Sequence, residues 1–425
     1  MPPSFLPSRR AALSAAWGLA WAGRSEAAGR TPEVLSVAAF PLLDEVVAAA
    51  RPVWQRMHPG VEIKVVKRQY VDHHTAMTTA LSTSTYLPDV MALEVSFVGR
   101  FAQGQGLEDL RGEPYGIERF RDRWVRAAYD QATGPSGAVV AAPADVGPGT
   151  MLYRADVLAR AGVAEDDLTR SWDSYIAAGR RIKASTGAYL VAHVQAVKDI
   201  AIRIGLKPGE GLYFDRDARV LVQSPRFVRA FEMARTIRRE KLDARIGTWS
   251  SEWAEGLKRG SIVTELGGAW MVGQLNKWVA PLTAGLWRAA HFPERTFVPY
   301  GGAFYAIPRR ADPARKALAW DFVRLMTLDR DRQAAAFKSH DAFPALVETH
   351  DDPFFEEPLP FLGGQKARLL WREAARAMAA APVHKQNGFA DEVVGTELDN
   401  VLDRGKDIAQ ALADAARLLE RRARR

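Results

Sequence analysis

The chain of 425 residues contains no cysteine. Disulfides, thiolate metal sites and cysteine nucleophiles are therefore excluded, as is the lipid-modified cysteine that anchors a bacterial lipoprotein. Long apolar runs are missing too. The longest, residues 11–22, falls short of the roughly 20 residues needed to span a bilayer. No Gly-x-Ser-x-Gly, His-Glu-x-x-His, P-loop or Gly-x-Gly-x-x-Gly pattern occurs, so the commonest hydrolase, metalloprotease and nucleotide-binding signatures are absent. The net charge is +8, yet the surplus lies mainly at the two ends. Arg9, Arg10 and Arg24 precede residue 28, and residues 417–425 carry five arginines against Glu420. No basic stripe with interleaved aromatics lies between them, and nucleic acid is set aside as a partner.

What is present begins with an export signal. Ser8-Arg9-Arg10 precedes the apolar run, and Ser25 and Ala27 supply the small residues of a cleavage site before Ala28. The paired arginines with Leu13 resemble a twin-arginine signal, although Ala12 stands where that pattern prefers Phe, and ordinary Sec export remains open. The remaining chain is long enough for two lobes, each with its own core. Its 48% apolar and 25% charged residues are ordinary for a globular protein, whereas twelve tryptophans favour one that displays aromatic surface.

After the signal, strand and helix patterns alternate. Residues 34–40 read as a strand, 42–58 as a helix with apolar positions 43, 46, 47, 50, 53, 54 and 57, and 61–66 as an alternating strand. A helix containing Met77 and a strand at 88–93 follow. The pattern predicts a parallel α/β sheet, whose ligands lie beyond the carboxyl ends of the strands. That rule brings Phe40, Tyr70 and the Glu94-Val95-Ser96 turn into one region. The extended run at 139–147, with Pro143 and Gly147, interrupts the pattern, and its 141–147 part reads as a hinge between two β/α halves; Ser171 reads as a helix N-cap.

Residues 259–308 form the organising stretch. An apolar run from Ile262 to Leu266 leads to Gly267-Gly268, read as a tight turn, and a helix is predicted from about 269 to 278. Trp270 on its first turn offers a flat apolar face beside open backbone donors, which suits the C–H face and hydroxyl edge of a sugar. A second Gly-Gly, at 301–302, enters an apolar run that ends at Pro308. The plainer alternative is a core tryptophan beside a glycine turn. Likewise Asp145 reads equally as a turn carboxylate and Glu94 as a charge at a strand end. His73-His74 lacks a third metal ligand, and Trp320, Val323 and Met326 have the spacing of a core stripe.

Taken in order, several of these pieces carry a family resemblance. They are Tyr86-Leu87-Pro88-Asp89-Val90, Pro143-Ala144-Asp145, Leu152-Tyr153-Arg154-Ala155-Asp156-Val157-Leu158, Ser171-Trp172-Asp173, Arg259-Gly260 with Gly268-Ala269-Trp270, Gly301-Gly302-Ala303-Phe304-Tyr305-Ala306-Ile307-Pro308, Ala317-Leu318-Ala319-Trp320-Asp321-Phe322 and Phe343-Pro344-Ala345-Leu346. The chain resembles the extracellular solute-binding proteins of ABC importers, family 1, which includes maltose-binding protein, and is most similar to the branch serving lactose or arabinose sugars. The resemblance implies a type II periplasmic-binding-protein fold: two α/β lobes, 31–143 with 304–345 and 146–302 with 346–425, closing over a cleft. It implies a monomeric periplasmic binder of a sugar or small oligosaccharide that serves an inner-membrane ABC permease, without catalysis, cofactor or metal. By position it places Asp145 at the cleft floor, Trp270 as the stacking ring, Glu94 and Ser96 on a ligand-contacting turn, Phe40 and Tyr300 as cleft aromatics, and Gly302 where the hinge backbone approaches ligand. His193 and Gln195 fall in a segment that often faces the cleft. Two rival classes remain. One is a carbohydrate-active enzyme using Glu94 and Asp145 as paired carboxylates. The other is a binder of polyols or sugar phosphates, for which Lys67, Arg68 and Arg154 are the candidate cations.

Overall fold

The computed structural model describes residues 33–423 apart from 103, 105, 135 and 208; the export signal expected over residues 1–27 lies outside the described residues. Nine strands are used below: β1 (Glu33–Ala39), β2 (Val61–Lys67), β3 (Val90–Glu94), β4 (Ala142–Pro143), β5 (Pro148–Arg154), β6 (Thr264–Gly268), β7 (Trp287–Ala290), β8 (Val298–Pro299) and β9 (Ala303–Ala306).

The first sheet has the order β2-β1-β3-β9-β4. β1 and β3 are buried on both faces, as inner strands of a helix-covered sheet must be; Leu35, Val37, Ala39 and Val90 to Leu93 are all fully buried. β2 lies at the edge and alternates, with Ile63 inward and Glu62 and Lys64 outward. β1, β2 and β3 run parallel, joined through the helices Leu43–Met57 and Tyr70–Thr83. β9 then enters from far along the chain, antiparallel to both β3 and β4, pairing Leu93 with Phe304 and Pro143 with Phe304. The expectation of a parallel sheet is thus met for the first three strands. β9 alone departs from it, because a strand returning from the other half of the chain approaches from the opposite end; β4, antiparallel to β9, runs parallel to β3 again.

The second sheet is built on β5, which is buried along its whole length and antiparallel to β6 on one edge and to β7 and β8 on the other. Its side chains alternate between two cores. Met151 and Tyr153 join the helical layer around Trp172, Tyr175 and Phe227, while Leu152 packs with Trp287 and Trp371. The C-terminal helices Asn387–Arg404 and Ile408–Ala423 close the first of these layers.

Between the sheets three chain segments run side by side. Val146 N–H donates to the Phe343 carbonyl at 2.9 Å, and Tyr300 N–H to the Gly147 carbonyl at 2.8 Å. A buried glutamine pins two of them. Gln333 donates through Nε2 to the carbonyls of Ala144 (2.8 Å) and Met326 (2.7 Å), and its Oε1 accepts from Ala345 N–H (3.0 Å). Every polar atom of that amide is occupied, so its burial costs little and fixes the register of the crossing.

The glycines at 267–268 correct the sequence reading. They end strand β6, where Gly268 pairs with Gly149 and Gly267 with Thr150, and they do not form a turn. Their small size serves a close approach instead: a Cβ on Gly268 would lie 2.4 Å from Trp270 Nε1 and 2.7 Å from the Tyr300 carbonyl oxygen. The helix expected from 269 to 278 is a single α turn, Met271–Gln274, running into a π-helical turn, Leu275–Val279.

Candidate functional site

The site lies where the crossing segments meet the carboxyl ends of β1 and β3. β1 delivers Phe40, the helix after β2 begins at Tyr70, and β3 ends on Glu94. Phe40 and Tyr70 meet edge to face at 5.7 Å. The Tyr70 hydroxyl donates to Glu94 Oε2 at 3.0 Å, and that oxygen also accepts from Ser96 N–H (2.9 Å) and from the Ser96 hydroxyl. Three donors on one oxygen hold the carboxylate still. Phe40 itself is buried by Tyr70, His73 and His74, so it supports Tyr70 and does not offer a cleft face as expected.

Behind this turn stands His74, stacked on Phe97 at 3.9 Å and 13°. Glu94 N–H donates to its Nε2 at 3.1 Å, which leaves the proton on Nδ1, facing the Tyr70 carbonyl at 2.8 Å. Protonating Nε2 would turn it against that N–H. Burial lowers the His74 pKa to about 4, so the ring is a neutral brace for the Glu94 turn across the physiological range.

Asp145 stands on the crossing itself and accepts from Ala303 N–H at 2.9 Å. Burial pushes its pKa up to about 7; the Ala303 bond opposes this, and the nearby charge of Glu94 adds to it. Gly302, at φ 126°, has a backbone few other residues adopt, and its carbonyl accepts from Val95 N–H at 2.9 Å. That bond joins the crossing to the Glu94-Val95-Ser96 turn, so Asp145, Gly302, Glu94 and Ser96 form one floor. Asp145, Val95, Gly301 and Gly302 line a narrow crevice together with Met378 and Ala380 from the connection before the C-terminal helices. That connection leans on the first sheet's helices: Gln131 Nε2 donates to the Ala381 carbonyl at 2.7 Å.

Further side chains meet the crossing from the second half of the chain. Trp270 Nε1–H donates to the Tyr300 carbonyl at 3.1 Å, and a Cβ on Gly301 would lie 3.0 Å from that nitrogen. The indole is therefore fixed beside the crossing, partly buried and partly open. Tyr300, expected as a cleft aromatic, is partly buried. Its ring carries the guanidinium of Arg203, whose central carbon is 5.7 Å from the ring centroid. Arg203 is anchored by Nη1 to the Asp199 carbonyl at 2.5 Å. Burial pulls its pKa down, but Asp199, Tyr213, Tyr300 and Asp391 carry it above the ordinary value. Its charge is felt by Glu94: burial raises that carboxyl, while the Ser96 and Tyr70 bonds and Arg203 oppose the rise.

Sequence reasoning missed Arg203, whose one signal is its place just beyond the helix Val194–Ala201. It offered other cations. Arg154 is consumed by Asp156 and the Leu257 and Lys258 carbonyls, and Lys67 by Asp44. It also offered His193, which the structure takes elsewhere. His193 caps the helix Val194–Ala201, accepting from Gln195 N–H, and its Nε2 faces Arg238, which pairs with Asp243 and Asp403. Gln195 donates to Gly395 and Asp399 on a C-terminal helix. Both residues are engaged in packing helix against helix.

The raised pKa of Asp145 has a measurable consequence. Between pH 4 and 7 the folded carboxyl keeps a proton that the unfolded one has lost, so stability falls as pH rises through this window and levels off above it. Asn keeps the acceptor for Ala303 N–H but cannot ionise. Asp145→Asn should match the wild-type melting temperature near pH 4 and exceed it at pH 8. Glu265, also raised to about 7 by burial, retains part of the slope. Equal pH slopes in the two proteins would refute the buried-acid account. Against a neutral sugar at pH 8 the same variant should lose about 1.5–3 kcal/mol of binding, because a charged acceptor becomes a neutral one.

The profile of the family described as bacterial extracellular solute-binding protein matches residues 54–359. The lactose-binding protein of Rhizobium radiobacter is 24% identical over 384 residues, covering 83% of this chain and 86% of that protein. The arabinooligosaccharide-binding protein of Bacillus subtilis (strain 168) is 23% identical over 234 residues, 54% of this chain and 53% of that one. Among solved structures, a binding protein from B. animalis subsp. lactis Bl-04 in complex with beta-1,6-galactobiose superposes with a TM-score of 0.76 at 20% identity, covering 92% of this chain and 98% of that one. The sugar-binding protein MalE from Xanthomonas citri gives 0.76 at 17% identity, covering 92% and 97%.

Proposed function

The chain belongs to the bacterial extracellular solute-binding proteins, and from that premise we propose that it is the periplasmic binding component of an ABC importer for a sugar or small oligosaccharide. The observation that carries this reading is the pairing at the crossing. An indole is fixed by its N–H to the Tyr300 carbonyl on the crossing, Asp145 lies on the same crossing, and Glu94 is held on the turn whose Val95 N–H is bonded to the Gly302 carbonyl. The ring takes the C–H face of a pyranose or furanose, and the carboxylates accept from its hydroxyls. Such a ligand is buried by rotation of the lobe of residues 31–143 and 304–345 against that of 146–302 and 346–425 about the crossing segments. The closed form, a monomer, then docks on an inner-membrane permease. Export by the signal of residues 1–27, without a lipid anchor, brings the protein to that compartment.

The arrangement suits binding better than hydrolysis. Glu94 Oε2 already accepts three hydrogen bonds, one of them from the hydroxyl of its own turn, which makes it a weak nucleophile. Turnover of a labelled oligosaccharide would overturn this part of the proposal. Arg203 supports a second reading, in which the ligand carries a carboxylate or phosphate that meets the guanidinium. A thermal-shift screen of neutral sugars, polyols, uronates and sugar phosphates separates the two, since only a ligand of the folded state raises the midpoint by mass action. A rise with neutral sugars alone supports the first reading, one confined to anionic ligands the second. No rise with any of them would refute both.

A further inference from the structure

Beyond the crevice, two of the largest apolar side chains of the described residues stand half in water at one place: Trp249 is 51% exposed and Trp278 54%. They continue the ring of Trp270. Trp249 lies 6.0 Å from Trp270 with 14° between planes, and 6.0 Å from Trp278 with 20°. Three near-parallel indoles thus form a row that starts at Trp270. Their support is rigid. Trp253, fully buried and donating to Glu265 Oε2 at 3.1 Å, packs on Trp249 at 5.1 Å, and the Trp278 indole N–H donates to Gln274 Oε1.

Two backbone features hold this array at a cost. Trp249 has φ 68°, in the left-handed region that a bulky residue rarely occupies. Trp278 is carried on the π-helical turn Leu275–Val279, a geometry found mostly at functional places. A fold that needed these rings only as packing would bury them, and here strained backbone keeps them open.

We infer that Trp249 and Trp278 form an outer platform for the second and third sugar units of an oligosaccharide whose first unit lies on Trp270. The inference rests on the sugar-binding reading above and deepens it: the ligand is a chain of at least three sugars, entering with one end in the crevice. Continuity with Trp270 sets the occupant. Stacking suits the repeated C–H faces of a saccharide, and the Gln274 amide, its oxygen turned to Trp278, presents its NH2 group to the hydroxyl rim.

Titration calorimetry on the mature protein with two probe series tests this: arabinose to arabinotetraose, and galactose to galactotetraose. In whichever series binds, wild-type affinity should rise about tenfold or more from the shortest binder to the tetrasaccharide. Trp249→Ala and Trp278→Ala should erase that increment and leave the shortest binder within about twofold, and Trp249→Phe should restore most of it. A wild-type affinity independent of chain length, or an increment that both alanine variants retain, overturns the platform and leaves the crevice reading intact. Failure of every sugar to bind the wild type overturns both.

Discussion

Trp270→Ala is expected to weaken binding of the best sugar from the screen by about 2–4 kcal/mol, the range of a truncated aromatic anchor. The loss has a specific origin. The indole is joined directly to the hinge backbone, through Nε1 and the Tyr300 carbonyl. Alanine removes the stacking surface and frees the carbonyl, and a water reaches it where the ring was. Stability should therefore fall by only about 1 kcal/mol, the net worth of an ordinary hydrogen bond. Calorimetry and a melting curve on the same sample decide the matter. Unchanged affinity with a clearly lowered midpoint would show that Trp270 serves the core and that the ligand stacks elsewhere.

Gly147→Ala should destabilise the protein by about 3 kcal/mol or more, at the upper end of overpacking. A Cβ there would stand 2.1 Å from the Tyr300 carbonyl oxygen and 2.6 Å from its carbon. Both are backbone atoms, so no side chain can swing aside. The strands cannot separate cheaply either, since Tyr300 N–H donates to the Gly147 carbonyl at 2.8 Å. The strain falls on the crossing, and ligand affinity should drop along with the midpoint as the two lobes lose their fixed pivot. Gly247→Ala is the matched control: no atom lies within 4 Å of its Cβ position. A Gly147→Ala protein that melts with the wild type would disprove the close-approach account of this glycine.

Much of the first sheet was legible because its signals are local. The β-branched run of β1, the alternation of β2 and the apolar stripe of Leu43–Met57 each lie within a few residues, and their observed limits fall within two residues of the expected ones. The Ser171 cap was legible for the same reason, its hydroxyl accepting from Ser174 N–H at 3.0 Å. The glycine pair at 267–268 misled because glycine tolerates several roles. Sequence favours the turn, while the actual cause is the Trp270 indole folded back over Gly268 to reach the Tyr300 carbonyl, which comes from 32 positions away. The absence of cysteine and of catalytic signatures, the alternation of strand and helix, and the ordered pieces from Tyr86 to Leu346 were properties of the sequence alone. They determined the class of fold and the family, because each depends on local pattern or on order along the chain. Which side chains face the crevice was decided by tertiary structure. Segments distant in sequence had to pack before Tyr300 could carry Arg203, before Asp145 could be buried near Glu94, and before Trp249 could align with Trp270 and Trp278. His193 and Arg203 show the reason most simply. They flank one short helix, and only its tertiary packing sets His193 against Arg238 and Arg203 against the Tyr300 ring.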